Sequence, residues 1–405
     1  MDRRNLIKQS LAFGGLAGLS ACAPQSARVA SRWSRPSLMP YRMDVERIID
    51  IKSCIRPFRP MGPRLDAEQI GDKLVIHNYG HGGSGWSLSW GSADVAVEKA
   101  RSVLPRDVAV IGCGVIGLTS AVLAQRAGMA VTVYTRDLLP RTRSVRANGS
   151  WTPDSRIALT GPAGPAFGDL WERMARFSWK SYRGYLGLPG RPIDFCDQYI
   201  LSDDPPGQRP GEPRKGKGDY ASTGMPQSEA EFAEYSGRIL DLAGPSRRLS
   251  DEENPFPVKS ARQFSLMFFN FGGYGHLLMS EFLEAGGKIE IREFHSPAEL
   301  AGLRENVIIN CPGYAARDLW RDKTLIPVRG QTGWMVPQPE VTYGIEYRDI
   351  GVLPKSDGVM IQSFDPGHTG LGDLVGMGDA TEIPDRAETE EAVRVIGGLF
   401  ARIAI

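Results

Sequence analysis

The sequence predicts an α/β protein in which a parallel sheet carries a nucleotide site and a mixed sheet is intertwined with it. The first observation is a strand, a glycine-rich turn, a helix and a second strand in succession over residues 107–137. The second is the length of 405 residues, which is enough to bury two cores of medium size. The third is that helical patterns at 169–185 and 275–285, a strand pattern at 288–291 and an amphipathic helix at 388–405 follow this unit.

The unit at 107–137 is typical of a Rossmann-type dinucleotide site. Residues 108–111 form a short strand rich in β-branched side chains, and the letters GCGVIG follow at once. In such a turn Gly112 permits the tight bend, Gly114 lets the backbone approach a pyrophosphate, and Gly117 lets the helix pack close to the strand. The free N–H groups at the start of that helix then favour the phosphates.

The residues after the second strand leave the identity of the dinucleotide open. An acidic residue at this position binds a ribose hydroxyl, which suits Asp137. Arg136 equally suits the additional phosphate of NADP. From this unit alone FAD, NAD and NADP all remain candidates.

Charge and cysteine content argue against several functions. Lys and Arg total 48 against 47 Asp and Glu, which gives no electrostatic reason to expect a nucleic acid partner. The cysteines form no CxxC pair, so we interpret them as small buried hydrophobic residues rather than a zinc or redox motif. His77 and His81 lie close in sequence, but no third ligand is spaced nearby, and no metal site is predicted.

The N-terminus has the pattern of an export signal. Arg3 and Arg4 lie in a basic head, and the apolar stretch 11–21 (LAFGGLAGLSA) ends in small residues. The paired arginines resemble a twin-arginine signal, and Cys22 follows as a candidate lipid attachment site. We therefore expect residues 1–22 to direct the protein to the bacterial periplasm or cell envelope, with a cytoplasmic location as the alternative.

Two further motifs resemble the D-amino-acid oxidase family. Residues 74–91 (LVIHNYGHGGSGWSLSWG) closely resemble its flavin-contacting signature, and the end of residues 141–153 (GSWTP) is similar to its Gly-x-Trp-x-Pro loop. The resemblance implies that the cofactor is FAD. In the family the glycine-rich turn opens a helix toward the flavin, and the N-terminus of that helix stabilises the negative charge of the reduced ring. The FAD-binding residues implied by the fingerprint and these motifs are Gly82, Gly83, Ser84, Gly85, Trp86, Ser87, Gly112, Gly114, Val115, Ile116, Gly117, Arg136, Asp137, Ser144, Asn148, Gly149 and Ser150.

A third motif implies where a substrate binds. Residues 55–65 (IRPFRPMGPRL) resemble the family's Arg-Pro segment, whose first arginine holds the substrate carboxylate. That role falls on Arg56, because a planar guanidinium pairs bidentately with a carboxylate. The resemblance also implies that the backbone carbonyl of Gly83 holds the substrate amine. Residues 352–354 (VLP) align with an aliphatic-proline element of the family. This alignment puts Tyr347 at the position of one active-site tyrosine of the family, whereas Gly351 stands at the position of a second one.

The order of these motifs departs from the family pattern. In the family the Arg-Pro and glycine-rich motifs close the chain, whereas here they precede the dinucleotide unit. We therefore expect a circular permutation, which a chain tolerates when the old termini lie close together at the surface. Residues 329–331 (RGQ) resemble the family's turn into the substrate domain. The expected organisation is a signal at 1–22, a linker at 23–42, the permuted segment at 43–105, the dinucleotide unit at 106–160, a first part of the substrate domain with a polar surface loop at 161–270, a return to the FAD domain at 271–328, and a second part of the substrate domain with the C-terminal helix at 329–405.

The resemblance implies oxidative deamination of D-amino acids to 2-oxo acids, with release of ammonia and with dioxygen reduced to hydrogen peroxide. It implies no catalytic acid or base, because orientation of the substrate and the flavin itself supply the chemistry. One alternative is an FAD oxidase or dehydrogenase of glycine, sarcosine or another small amine, which the loss of a tyrosine at Gly351 keeps open. Another is a non-catalytic lipoprotein that uses the flavin fold as a binding module. A homodimer is a candidate assembly.

Overall fold

The computed structural model describes residues 38–205 and 225–403, so the expected signal, Cys22 and most of the polar surface loop lie outside the described residues. Within these ranges the strands are β1 (Ile48–Phe58), β2 (Ala67–Ile70), β3 (Lys73–His77), β4 (Asp107–Ile111), β5 (Ala130–Thr135), β6 (Ile193–Ser202), β7 (Arg247–Arg248), β8 (Ser260–Phe269), β9 (Lys288–Ile291), β10 (Val307–Asn310), β11 (Ile326–Met335), β12 (Tyr343–Tyr347), β13 (Ile350–Lys355) and β14 (Gly358–Ser363). The α-helices of the same ranges are α1 (Gly85–Arg101), α2 (Val115–Arg126), α3 (Thr160–Ala163), α4 (Phe167–Arg183), α5 (Leu240–Ala243), α6 (Phe271–Glu284), α7 (Ala316–Leu319) and α8 (Arg386–Ala401).

The first sheet contains six strands in the order β2-β3-β10-β4-β5-β9. All neighbours in it run parallel except β2, which pairs antiparallel with β3 at one edge. Its central strands are short apolar runs, and the side chains of Val108, Val110 and Ile309 are fully buried, as parallel strands covered on both faces require. The predicted strand, turn, helix and strand are confirmed as β4, α2 and β5.

Two helices cover the same region of this sheet. α1 packs along α2, and both contact β10. α1 begins at Gly85, directly after the glycine-rich turn, and buries Leu88 and Trp90 within its first turns. The helix that the family resemblance implied at the glycine-rich motif is thus present, and Trp86 and Ser87 lie in its first turn.

The second sheet contains eight strands in the order β1-β11-β14-β13-β12-β6-β8-β7. Most neighbours are antiparallel, but β6 and β12 run parallel, so the sheet is mixed as predicted. The expected C-terminal helix forms as α8, which buries Val393 and Ile396 in one core with Ile345 of β12.

The segment that precedes the dinucleotide unit contributes to both sheets. β1 pairs with β11 in the second sheet, whereas β3 pairs with β10 in the first, so the predicted intertwined α/β architecture is confirmed. One local prediction is wrong, because residues 329–331 lie within β11 and do not form a turn. β1 pairs along the whole of β11 and holds these residues extended. The permuted order relative to the family stays a prediction.

Two further features concern the helices and the cysteines of the described residues. None of the helices in 38–205 and 225–403 combines the length and the apolar character needed to cross a membrane. The cysteines in these ranges are all buried and carry free thiols, as the sequence predicted: Cys54, Cys113, Cys196 and Cys311.

Candidate active site

A cavity of about 1110 Å³ lies where the two sheets meet. Drug-sized ligands commonly occupy roughly 300–1,000 Å³, so this cavity has room for a dinucleotide with a small substrate beside it. The carboxyl ends of β4 and β5 form one end of the cavity. A face of the second sheet forms the other end. Ligands of parallel α/β sheets bind at the carboxyl ends of the strands, which makes this cavity the candidate active site.

Most of the predicted cofactor residues line the cavity. Those in its wall are Gly82, Gly83, Gly85, Trp86, Gly112, Gly114, Val115, Ile116, Arg136, Asp137, Ser144, Asn148 and Ser150. Four others lie behind the wall rather than in it, and their contact with the cofactor stays a prediction: Ser84, Ser87, Gly117 and Gly149.

The two serines behind the wall hold the glycine-rich turn in position. The hydroxyl of Ser84 donates to the carbonyl oxygen of Ser155 at 3.0 Å, and that of Ser87 accepts the N–H of Thr152 at 2.8 Å. Both hydroxyls are therefore engaged in fixing α1 to the loop that follows β5. Trp86, which does line the cavity, is oriented by a hydrogen bond from its ring N–H to the carbonyl of Ser144 at 2.7 Å.

The fingerprint turn has the close backbone approach that a pyrophosphate site needs. Gly112 has φ of 99°, a left-handed value that favours glycine. A Cβ added at Gly117 would lie 2.0 Å from the carbonyl oxygen of Gly112, so only glycine lets α2 start this close to β4. At the start of α2 the N–H of Val115 donates to the hydroxyl of Ser144 at 3.0 Å, and no side chain caps the helix at Gly114. The helix dipole then favours a negatively charged group beside this turn.

Arg136 and Asp137 lie in the wall just after β5, as predicted. The guanidinium of Arg136 donates to Asp137 at 2.7 Å and to Glu293 at 3.2 Å. Two carboxylates already neutralise this arginine, which favours a ribose over an NADP phosphate as the group bound at this turn.

The loop after β5 closes over the cavity. Asn148 accepts hydrogen bonds from the N–H and the hydroxyl of Ser150 at 3.1 and 3.0 Å. Gly149 faces away from the cavity, because a Cβ on it would meet the ammonium of Lys355 at 2.3 Å. That ammonium donates to the carbonyl of Asn148 at 3.0 Å and lies 3.8 Å from the ring centre of Phe271.

Four buried polar atoms in the wall have no hydrogen-bond partner among the described residues. They are the amide oxygens of Asn78 and Gln198, the Nε2 atom of His81 and the ring N–H of Trp151. An unpaired buried polar group costs about 1–3 kcal/mol, so such atoms indicate a site that a polar ligand completes. An isoalloxazine or ribityl group carries both donors and acceptors, and these residues fit FAD in that respect.

Two titratable rings of the wall, those of His81 and Tyr79, stay uncharged near neutral pH. Burial lowers the pKa of His81 to about 3, so this imidazole is neutral. Burial likewise raises the pKa of Tyr79 to about 12, which keeps its hydroxyl protonated. The other histidine of this motif, His77, is held by Glu68 at 2.6 Å and by Asn310 at 3.0 Å, behind the cavity.

Arg56 reaches the cavity from β1, as predicted. Its guanidinium lies over Gly330 of β11, where an added Cβ would come within 2.4 Å of Nη1. It donates to the carbonyl of Arg329 at 3.1 Å. No carboxylate in residues 38–205 and 225–403 forms an ion pair with it, in contrast to Arg59, which lies 3.4 Å from Asp322. A half-buried guanidinium in a cavity wall without a counter-ion is suited to bind a carboxylate ligand.

Tyr347 does not reach the cavity, and the substrate-binding role predicted for it is wrong. Its hydroxyl donates to Asp203 at 2.6 Å and accepts from Arg402 at 2.6 Å. Successive side chains of a strand face opposite sides, so Tyr347 lies on the core side with Ile345. Its neighbour Glu346 lines the cavity instead.

The second sheet supplies cavity residues that the sequence reasoning missed. The side chains of Gln198 on β6 and Glu346 on β12 line the cavity. Gly351 also lines it, and an added Cβ there would lie 2.7 Å from the ring of Phe364. Large and other residues alternate over residues 343–347 (YGIEY), and this alternation indicates the two faces of β12. It does not indicate which strand lies beside β12.

Comparisons with known proteins identify relatives of this chain. The family described as FAD dependent oxidoreductase matches residues 107–403. A D-amino-acid oxidase of Rubrobacter xylanophilus is 28% identical over 222 residues, which are 55% of this chain and 57% of that protein. A D-amino-acid oxidase of Streptomyces coelicolor is 29% identical over 233 residues, 56% of this chain and 58% of that protein. The chain thus spans less than two thirds of the length of either relative.

Among solved structures, the L-amino acid deaminase of Proteus vulgaris with its specific insertion deleted aligns with a TM-score of 0.45 and 12% identity. The alignment covers 74% of this chain and 75% of that one. At this level of similarity it carries no information about the substrate.

Proposed function

The chain belongs to the family of FAD-dependent oxidoreductases, and on that basis we propose that it oxidises D-amino acids to 2-oxo acids. The proposed reaction consumes one D-amino acid, one dioxygen and one water, and yields one 2-oxo acid, one ammonia and one hydrogen peroxide. FAD is the cofactor of the family; when bound, it accepts the α-hydrogen of the substrate with its electron pair and passes two electrons to dioxygen.

The observation that carries the proposal is the guanidinium of Arg56. It lies in the same cavity as the glycine-rich turn, and no carboxylate among the described residues forms an ion pair with it. A substrate carboxylate would complete this group with two parallel hydrogen bonds. We expect the carbonyl of Gly83 to hold the substrate amine, which together with Arg56 would fix which face of the α-carbon meets the flavin.

The rest of the wall supports a role in orientation rather than in proton transfer. His81 is uncharged because burial lowers its pKa to about 3, and the hydroxyl of Tyr79 stays protonated. Trp86, which is almost fully buried, helps to exclude water from the glycine-rich turn. The imino acid that leaves this site reacts with water outside it to give ammonia and the 2-oxo acid.

Replacement of Arg56 tests the proposal. Loss of two charged hydrogen bonds predicts that Arg56→Ala lowers kcat/KM for D-alanine by about 100- to 10,000-fold, while the flavin stays bound. Arg56→Lys should recover part of the loss, because an ammonium binds a carboxylate as a point charge without the fork geometry.

The matched control is Arg394→Ala, which removes an arginine that is 56% exposed on α8, outside the cavity wall. This variant should behave as wild type. Full activity of Arg56→Ala with D-amino acids would remove Arg56 from the substrate site. Oxidation of glycine or sarcosine, with no turnover of any D-amino acid, would support the small-amine alternative instead.

A further inference from the structure

The floor of the cavity is one face of the second sheet, and it carries a row of polar side chains. Strand pairing aligns Gln198 with Gly344, Glu346 with Gly351, and Gly351 with Gln362. Directly opposed residues share a face of a sheet, so Gln198, Glu346 and Gln362 all lie on the cavity side.

Glu346 is an acid without a counter-ion. The structure gives its carboxylate no hydrogen bond and no ion pair within residues 38–205 and 225–403. Burial, followed by the nearby carboxylates of Asp349 and Asp373, raises the pKa of Glu346 above its ordinary value. A cation bound next to Glu346 would offset the free-energy cost of burying its charge. It would also offset the repulsion from the carboxylates of Asp349 and Asp373.

Arg156, a cationic side chain of the cavity wall, is already bound to another residue. Arg156 forms an ion pair with Asp373 at 2.8 Å and donates to the carbonyl of the same residue at 2.7 Å. Its guanidinium is therefore engaged at the mouth of the cavity, where the side chain of Asp373 is 57% exposed.

A second acceptor on the floor is also unpaired. The amide oxygen of Gln198 has no hydrogen-bond partner among the described residues, although the residue is only 6% exposed. It lies above Gly344, where an added Cβ would come within 2.0 Å of it. Gly344 and Glu346 are two residues apart on β12 and face the same side, so the two unpaired acceptors lie on neighbouring parts of the floor.

We propose that this site prefers D-amino acids with a long cationic side chain, such as D-arginine, whose charged end is bound by Glu346 and Gln198. The inference rests on the proposed function, because it takes the carboxylate of the substrate to lie at Arg56. The carboxylate of Glu346 and the unpaired amide oxygen of Gln198 accept hydrogen bonds, and a guanidinium or ammonium offers only donors.

The separation of the two charged groups fits a long side chain. The guanidinium of Arg56 lies over β11, and β14 and β13 separate β11 from β12. Three inter-strand spacings of ~4.8 Å place the Cα atoms of Gly330 and Glu346 on the order of 15 Å apart. The side chains of Arg56 and Glu346 extend into the cavity and shorten this distance. An extended arginine substrate, with an ion-pair contact of up to ~4 Å at each end, covers the distance that remains.

Kinetics of the FAD-loaded protein with D-arginine and D-citrulline test the inference. D-citrulline has nearly the same shape but is neutral, so the ratio of the two kcat/KM values isolates the charge. In wild type we expect a ratio of at least about 10 in favour of D-arginine, the effect of one hydrogen bond between charged groups. Glu346→Gln should bring this ratio close to one, and Gln198→Met should lower it by about 3- to 10-fold.

Glu391→Gln is the matched control, since this glutamate is 63% exposed on α8 and lies outside the cavity wall; the ratio should stay as in wild type. The flavin absorbance of each variant reports whether it folds and binds FAD. If Glu346→Gln fails to fold, the wild-type ratio and Gln198→Met still decide. A wild-type ratio of one or less, or a ratio that Glu346→Gln leaves unchanged, overturns the inference.

The two proposals fail in different ways. If D-alanine and D-citrulline are oxidised and D-arginine is no better, the cationic preference is wrong while D-amino-acid oxidation stands. If no D-amino acid is oxidised, both proposals are wrong.

Discussion

Substitution of Gly117 by alanine tests whether the fingerprint turn works by close packing. The added Cβ would lie 2.0 Å from the carbonyl oxygen of Gly112, whereas an unstrained carbon–oxygen contact is about 3.3 Å. The start of α2 must then move away from β4 by roughly 1.3 Å, the difference between these two distances. Overpacking of this kind typically costs about 1–3 kcal/mol.

The displaced helix end is the part of the cavity wall formed by Gly114 and Val115. If the cost falls on the FAD-bound state, the dissociation constant of FAD should rise by about 5- to 150-fold in Gly117→Ala. Fluorescence titration of apoprotein with FAD measures this directly, and thermal unfolding of the same samples reports the loss of stability.

Gly161→Ala is the matched control, because a Cβ on Gly161 meets nothing within 4 Å and the residue lies in α3, outside the cavity wall. It should bind FAD as wild type does. If Gly117→Ala binds FAD within about twofold of this control, the close approach of α2 to β4 is not what forms the site.

Three further predictions concern Trp151 in the loop over the cavity, Lys355 of β13, which bonds to that loop, and the N-terminus. Trp151→Phe removes the buried ring N–H that has no partner among the described residues, so FAD affinity should fall by about 2- to 10-fold; an unchanged dissociation constant would mean that this N–H does not serve the cofactor. Burial lowers the pKa of Lys355 to about 7 from an ordinary 10.5, so the unfolded chain holds this proton up to a higher pH than the folded one. The wild type should therefore gain stability relative to Lys355→Met as the pH rises from 7 to 10, and denaturant unfolding with a pH-independent difference would contradict this. Replacement of Arg3 and Arg4 by Lys should retain the protein in the cytoplasm, as fractionation would show, and unchanged export would refute the twin-arginine interpretation.

Local sequence was sufficient to predict the nucleotide half of the site. β4, α2 and β5 follow one another within residues 107–137, so periodicity and glycine spacing specify them without any distant contact. Arg56 was predicted because residues 55–65 resemble the Arg-Pro segment of the D-amino-acid oxidase family, and the structure places it in the cavity. Both predictions depended on residues adjacent in the chain.

The floor of the cavity could not be predicted in the same way. Gln198 and Glu346 come together only because β6 and β12 pair in parallel, and no local pattern specifies that pairing. A shift of one residue also reverses the face of a strand, which is why the alignment selected Tyr347 where the structure places Glu346. The prediction of a turn at 329–331 failed for a similar reason. Pairing with the distant strand β1 keeps those residues extended, and no local pattern specifies that pairing.

The most direct test of D-amino-acid oxidation is an anaerobic absorbance scan of the purified protein before and after addition of each D-amino acid and its L-enantiomer. We expect a flavin band near ~450 nm that D-amino acids bleach and L-amino acids leave unchanged. Admission of dioxygen should then restore the band and release hydrogen peroxide. A flavin band that stays oxidised with every D-amino acid would contradict the proposed function while leaving the FAD-binding fold intact.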